Sequence, residues 1–165
     1  MSARILLVDD EDIVLDAWET SLRPLKHEIV KAHNEVEALA ASQEHPFDLV
    51  IVDYLIPSKT GVEIVAAIRK KLPLVKSILV SARFDEQVPQ SKLRDMIRET
   101  VEVDEYMHKP VQPKALRETV TRLLEGTSVE WKDMASKARS ARAVSDRDTS
   151  ELNDKLKQHL KPKTK

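Results

Sequence analysis

Asp48-Leu49-Val50-Ile51-Val52-Asp53 is the stretch that decides the fold. Successive side chains of a strand point to opposite faces, so four apolar residues in a row present apolar groups on both sides. Such a strand must be covered on both faces, the situation of an inner strand in a parallel sheet. The run ends on an acid, Asp53. Arg4-Ile5-Leu6-Leu7-Val8 has the same form and ends in Asp9-Asp10. Ser77-Ile78-Leu79-Val80 repeats it and delivers Ser81. Glu105-Tyr106-Met107-His108 is a shorter version that delivers Lys109-Pro110, and Glu28-Ile29-Val30 a weaker one.

Helical patterns separate these runs. Val14, Ala17, Trp18, Ser21 and Leu22 share one face, and Pro24 stops that helix. Asn34 is the expected N-cap of the next, with Glu37 completing a capping box and His45-Pro46 ending it. A loop with Pro57 and Gly61 follows. Val62, Val65, Ile68 and Leu72 then form a face that Pro73 terminates. The charged residues 85–103 are read as one further helix. Pro113 suits a first helical position, Leu116, Val120, Leu123 and Leu124 make the last face, and Gly126 is the expected C-cap. Five strand–helix pairs predict an α/β fold, a five-stranded doubly wound parallel sheet with helices on both faces.

Composition narrows the function. The chain has 165 residues, 41% hydrophobic and 33% charged, enough for one core under a polar surface. No apolar run exceeds five residues, so no membrane span is expected. Cysteine is absent, which excludes disulfides, thiol chemistry and cysteine zinc sites and fits a cytoplasmic location. The only glycines are Gly61 and Gly126, so a glycine-rich phosphate loop is excluded. His27, His33, His45, His108 and His159 show no metal-ligand spacing.

Working residues of such sheets collect at the carboxyl ends of the strands. Those ends carry Asp9, Asp10, Asp53, Ser81 and Lys109. Three converging carboxylates repel one another unless a cation joins them, and an all-oxygen site suits Mg²⁺. With a lysine and a hydroxyl alongside, the cluster is a receptacle for a phosphoryl group, and an aspartate can serve as its nucleophile.

These residues resemble the receiver domain of bacterial two-component response regulators. The resemblance covers about residues 3–125. It rests on Val8-Asp9-Asp10-Glu11, on Asp53-Tyr54-Leu55-Ile56-Pro57 with Gly61, on Ser81-Ala82 and on Lys109-Pro110, in that order. It implies the flavodoxin-like receiver fold, with Asp53 as phosphoacceptor. Asp10, Asp53 and the backbone carbonyl of Leu55 would ligate Mg²⁺ directly and Asp9 through water. Lys109 would pair with the acids and then the phosphoryl group. Ser81 would move to the phosphoryl oxygen, and Tyr106 would be the aromatic switch that turns inward with it. The implied partners are a histidine kinase or phosphotransfer protein and an unknown downstream protein.

The chain departs from the family in places. The span from Ser81 to Lys109 is longer than expected, and Glu102-Val103-Asp104 replaces the usual glycine and alanine. Ile56 stands where methionine is common. Leu55 and Arg83, two residues past Asp53 and Ser81, lie where the resemblance implies that the family tunes dephosphorylation, and a bulky apolar residue with a basic one there is expected to restrict an attacking water and give a long-lived phosphoryl state.

Charge divides the chain in two. Residues 1–126 carry 17 basic and 22 acidic side chains, a balance of −5, whereas residues 127–165 carry 10 and 6, a balance of +4. The reading is a receiver domain over 1–126 and a basic C-terminal extension over 127–165, partly helical or disordered. Helices near 129–143 and 149–160 are expected there. The extension is too short for the family's usual DNA-binding modules and lacks interleaved aromatics, so direct DNA binding is not expected. A dimer is left open. The leading function is a stand-alone, non-enzymatic switch, phosphorylated on Asp53 and acting by docking to proteins. Two alternatives stand beside it. One is a haloacid-dehalogenase-type phosphatase, from the Asp-x-Asp form of Asp10-Glu11-Asp12. The other is a receiver-fold scaffold that never needs phosphate.

Overall fold

The computed structural model describes residues 2–57, 59–82 and 103–126. The element order is β1 (Arg4–Val8), α1 (Asp12–Leu22), β2 (Glu28–Ala32), α2 (Glu35–Glu44), β3 (Leu49–Asp53), α3 (Gly61–Lys71), β4 (Lys76–Ser81), β5 (Glu105–His108) and α4 (Pro113–Glu125). All strand pairs are parallel, in the order β2-β1-β3-β4-β5. This is the predicted doubly wound sheet. The helix expected over 85–103 and those expected in 127–165 lie outside the described residues.

Alternation along the strands sorts the core into two layers. Leu6, Val8, Val50, Val52 and Leu79 face Ala38 of α2 and Ile64 and Ile68 of α3. Ile5, Leu7, Leu49, Ile51, Ile78 and Val80 face Leu15, Trp18 and Leu22 of α1 and Leu116 and Val120 of α4. Each fully buried Leu, Ile or Val contributes about 1.5–3 kcal/mol. The inner strands β3 and β4 are buried along their whole length. β2 and β5 lie at the edges and bury only part of theirs, which is why their apolar patterns were the weaker ones.

Two local expectations are corrected, the buried face of α1 and the capping box of α2, and two hold with a difference of detail, the stop at Pro24 and the C-cap at Gly126. The buried line of α1 is Leu15, Trp18 and Leu22, while Ala17 is exposed. The helix packs against both β1 and α4, and that rotates the face by about one position. α1 ends at Leu22, but Pro24 sits within a further 3-10 turn, Arg23–Leu25, which Lys26 closes at φ 56°. Asn34 does cap α2, accepting from the Glu37 N–H at 2.9 Å. The Glu37 carboxylate, however, accepts from the His33 N–H at 2.7 Å, so the reciprocal half of the box lands one residue early. Gly126 is the C-cap of α4 but is right-handed, so it does not use glycine's conformational freedom.

A complete capping box occurs instead at α3. The Thr60 N–H donates to Glu63 at 2.9 Å, and the Glu63 N–H donates to Thr60 Oγ1 at 3.4 Å. It seats Gly61 against β3. A Cβ at Gly61 would lie 2.4 Å from the Asp53 carbonyl oxygen and 2.8 Å from Leu79 Cδ1. Glycine is required by this close approach, because its φ is not positive. Gly61→Ala is expected to cost about 1–3 kcal/mol, by strain at the Asp53 backbone. Urea unfolding checks this; a change under 0.5 kcal/mol would mean that the α3–β3 contact relaxes freely.

Candidate functional site

The sheet order places a topological switch between β1 and β3, and ligand crevices form at that point. Ladder-like hydrogen bonds run past the strand ends and hold the next residues. The Asp9 N–H donates to the Ala32 carbonyl at 3.2 Å, Tyr54 to Val80 at 2.7 Å and Lys109 to Ser81 at 2.8 Å. The backbone that carries Asp9, Asp53, Ser81 and Lys109 is therefore as rigid as the sheet.

Asp9, Asp10 and Asp53 meet there. One oxygen of each lies within 4.8 Å of the others. Asp9 is fully buried, and its Oδ1 accepts from the Glu11 N–H at 2.9 Å. Asp10 is exposed at the rim. The Asp53 side chain keeps 10% of its surface, so it forms the floor of an open bowl and is not sealed beneath apolar neighbours. Lys109 reaches in from β5, with Nζ 2.7 Å from Asp9 Oδ2 and 3.3 Å from Asp53 Oδ2. The Asp9–Lys109 hydrogen bond joins residues 100 positions apart.

The electrostatics suit a cation. Burial raises the Asp53 carboxyl from 3.8 to about 6; the Lys109 charge opposes this and the Asp9 charge adds to it. Burial works against the Lys109 ammonium, but its bond to Asp9 and the Asp53 charge outweigh burial and leave its pKa raised. One lysine thus leaves three carboxylates undercompensated, in a donor set made entirely of oxygen. Such a set fits a hard divalent ion.

Ser81 closes β4 beside this pocket and is buried. Leu55 lies in the loop just past Asp53, paired with Thr60 by an antiparallel bridge, and its side chain is half exposed at the rim. Arg83 lies outside the described residues. Tyr106 is already inside: it is 6% exposed within the α2–α3 core layer, edge-on to His108 at 5.2 Å. Asp12 stands outside the pocket. It is exposed and bonded to His33 Nε2 at 2.5 Å, so the Asp-x-Asp pair of a phosphatase does not face one site.

Two contributors went unread in the sequence. Trp18, expected to be a core residue, is one at 4% exposure, but its ring also lies 5.8 Å from Lys109 Nζ. Asp104, noted only as part of a departure, is a partly buried ionic node. It accepts from Arg69 at 2.9 Å and from the Ser77 N–H at 2.8 Å, with Lys76 Nζ 3.6 Å away. The Thr60-x-x-Glu63 spacing was a legible signal for α3. No local signal marks the Trp18 or Asp104 contacts.

Comparison with known proteins agrees with this fold. The family model of the response regulator receiver domain matches residues 5–121. A curated relative, the alkaline phosphatase synthesis transcriptional regulatory protein PhoP of Bacillus subtilis, is 23% identical over 129 residues, covering 78% of this chain and 51% of that protein. A cyclic di-GMP phosphodiesterase of Thermotoga maritima is 28% identical over 122 residues, covering 73% of this chain and 30% of that protein. The chain thus spans about half or less of the length of these relatives. A CheY-like receiver domain protein of Methanospirillum hungatei superposes with a TM-score of 0.69 at 27% identity, covering 79% of this chain and 99% of that structure.

Proposed function

The chain belongs to the response regulator receiver domain family, and from that premise we propose that it is a switch operated by Mg²⁺-dependent phosphorylation of Asp53. The observation that carries this reading is the Lys109 ammonium, bonded to both Asp9 and Asp53 inside a three-carboxylate bowl. The donor is a histidine kinase or phosphotransfer protein. An Asp53 oxygen bonds to phosphorus as the phosphorus–nitrogen bond to the donor's histidine breaks, and the imidazole leaves with that electron pair. Asp10, Asp53 and the Leu55 carbonyl would hold Mg²⁺, with Asp9 beside them. The ion supplies charge neutralisation for the phosphoryl oxygens. Lys109 turns from carboxylate to phosphoryl oxygen without leaving the pocket, and the Ser81 hydroxyl donates to another.

Output is a population shift. Engagement of Ser81 stabilises the inward Tyr106, already buried here, and thereby one arrangement of the β4–β5 surface. A downstream protein reads that surface, so the chain acts by docking and not as an enzyme. Residues 1–126 form the switch and 127–165 an extension of it, in the cytoplasm. The half-exposed Leu55 narrows the approach of water and lengthens the phosphoryl lifetime.

Beryllofluoride with Mg²⁺, read by backbone NMR, tests the proposal. The expected shifts centre on Asp53, Ser81, Tyr106 and the segment between the last two, with little change in residues 127–165. A flat spectrum would remove the phosphorylation reading, and equal movement of 127–165 would make the extension part of the switch.

A further inference from the structure

We propose that Trp18 is a positioning residue for Lys109, its indole face holding the ammonium where an incoming phosphoryl group meets it; this rests on the phosphorylation reading above. Lysine is a point charge on a flexible four-carbon stem, so one ion pair does not fix its direction. In the pocket, Asp9 lies 2.7 Å and Asp53 3.3 Å from Nζ, and the Trp18 ring centroid lies 5.8 Å away, within cation–π range. Two of the three contacts are carboxylates whose hold changes when Asp53 takes up a metal ion or a phosphoryl group. The third is a neutral ring and does not change.

Trp18 can perform this role because it is packed into the core. It is 4% exposed, between Leu15 and Leu22 of α1 and against the α4 layer. The Lys109 side chain keeps only 17% of its surface, so the indole acts on a largely desolvated ammonium, where a cation–π contact is strongest. Packing alone does not demand tryptophan here, since leucines fill the same face one turn away on either side. A π face separates the two roles: phenylalanine keeps one, leucine keeps only the apolar bulk.

The test is the affinity of the full chain for beryllofluoride at saturating Mg²⁺, measured by ¹⁹F NMR titration. Trp18→Leu is expected to weaken binding about 5–10-fold, while Trp18→Phe stays within about twofold of the parent. In a Lys109→Ala background, Trp18→Leu should change nothing further, because the effect passes through the ammonium. Equal losses for Leu and Phe, or a loss that persists without Lys109, would overturn the inference and leave Trp18 a packing residue. If the parent chain binds no beryllofluoride, or Lys109→Ala binds as well as the parent, the phosphorylation reading fails and takes this inference with it. A second arm needs no substitution. Ring currents should shift the Lys109 Hε protons upfield of every other lysine, and normal Hε shifts would overturn the proposal even if Trp18→Leu fails to fold.

Discussion

Asp53→Asn is expected to abolish phosphoryl incorporation and, at the same time, to stabilise the fold. The first effect follows from chemistry: an amide oxygen lacks the charge that makes the carboxylate a nucleophile. The second follows from burial. The Asp53 carboxyl is raised to about 6, chiefly by desolvation, with Lys109 offsetting part and Asp9 adding to it. The folded chain therefore holds this proton more tightly than the unfolded chain. Between pH 4 and 6 the folded state takes it up first, so falling pH favours folding through this group. Above pH 6 the ionised carboxylate costs the fold about 1–2 kcal/mol, after discounting for the solvent that still reaches it. Asparagine removes that cost. Thermal unfolding without metal should show the variant ahead by a few degrees at pH 7.5, with the gap closing toward pH 4. Mg²⁺ should reverse the order, by stabilising the parent chain alone. Intact-mass detection of an adduct on Asp53→Asn, after incubation with an acyl phosphate, would show that another residue accepts the group. A variant less stable than its parent at pH 7.5 would show that the acids are already compensated.

Asp104→Ala is expected to be strongly destabilising, at about 3 kcal/mol or roughly 10 °C. The carboxylate lies between the Arg69 guanidinium at 2.9 Å and the Lys76 ammonium at 3.6 Å, and the Lys76 side chain is only 8% exposed. It also accepts from the N–H of Ser77, which is fully buried. Alanine takes the counter-charge from between two cations and an acceptor from a buried donor, and both losses are costly. The damage extends beyond stability. Asp104 immediately precedes β5, a four-residue strand that, among the described residues, lies at the sheet edge and pairs only with β4. A one-residue slip there would turn Tyr106 out of the core and carry Lys109 away from Asp9. Asp104→Asn keeps an acceptor for Ser77 and should fall between alanine and the parent. An asparagine variant as unstable as alanine would assign the whole effect to the lost charge. An alanine variant within 0.5 kcal/mol of the parent would show that solvent replaces the carboxylate.

The site was legible in proportion to how far strand ends define it. Asp9, Asp10 and Asp53 stand one or two positions past apolar runs that read as strands, Lys109 follows the shorter run 105–108, and parallel pairing brings their ends to one edge. Ser81 was placed by the same logic. Trp18 was read as core, which it is, but nothing near it in the chain points to Lys109. Asp104 was noted as a departure and not as an anchor, because its three partners sit on β4 and at the end of α3. The capping box assigned to Asn34 and Glu37 was half right, since a nearby backbone N–H, that of His33, competed for the glutamate.

Period and apolarity are local properties. For that reason the amino-acid order alone determined the alternating elements, the two-sided burial of β1, β3 and β4, and the identity of the acids and the lysine at their ends. Facing direction and partnership are not local. The turn of α1 that buries Leu15 instead of Ala17, the press of Gly61 on Asp53, the ring beside Lys109 and the ionic node at Asp104 arose only when distant segments packed. Each is set by the shape and charge of the neighbour across the gap, which no window along the chain contains.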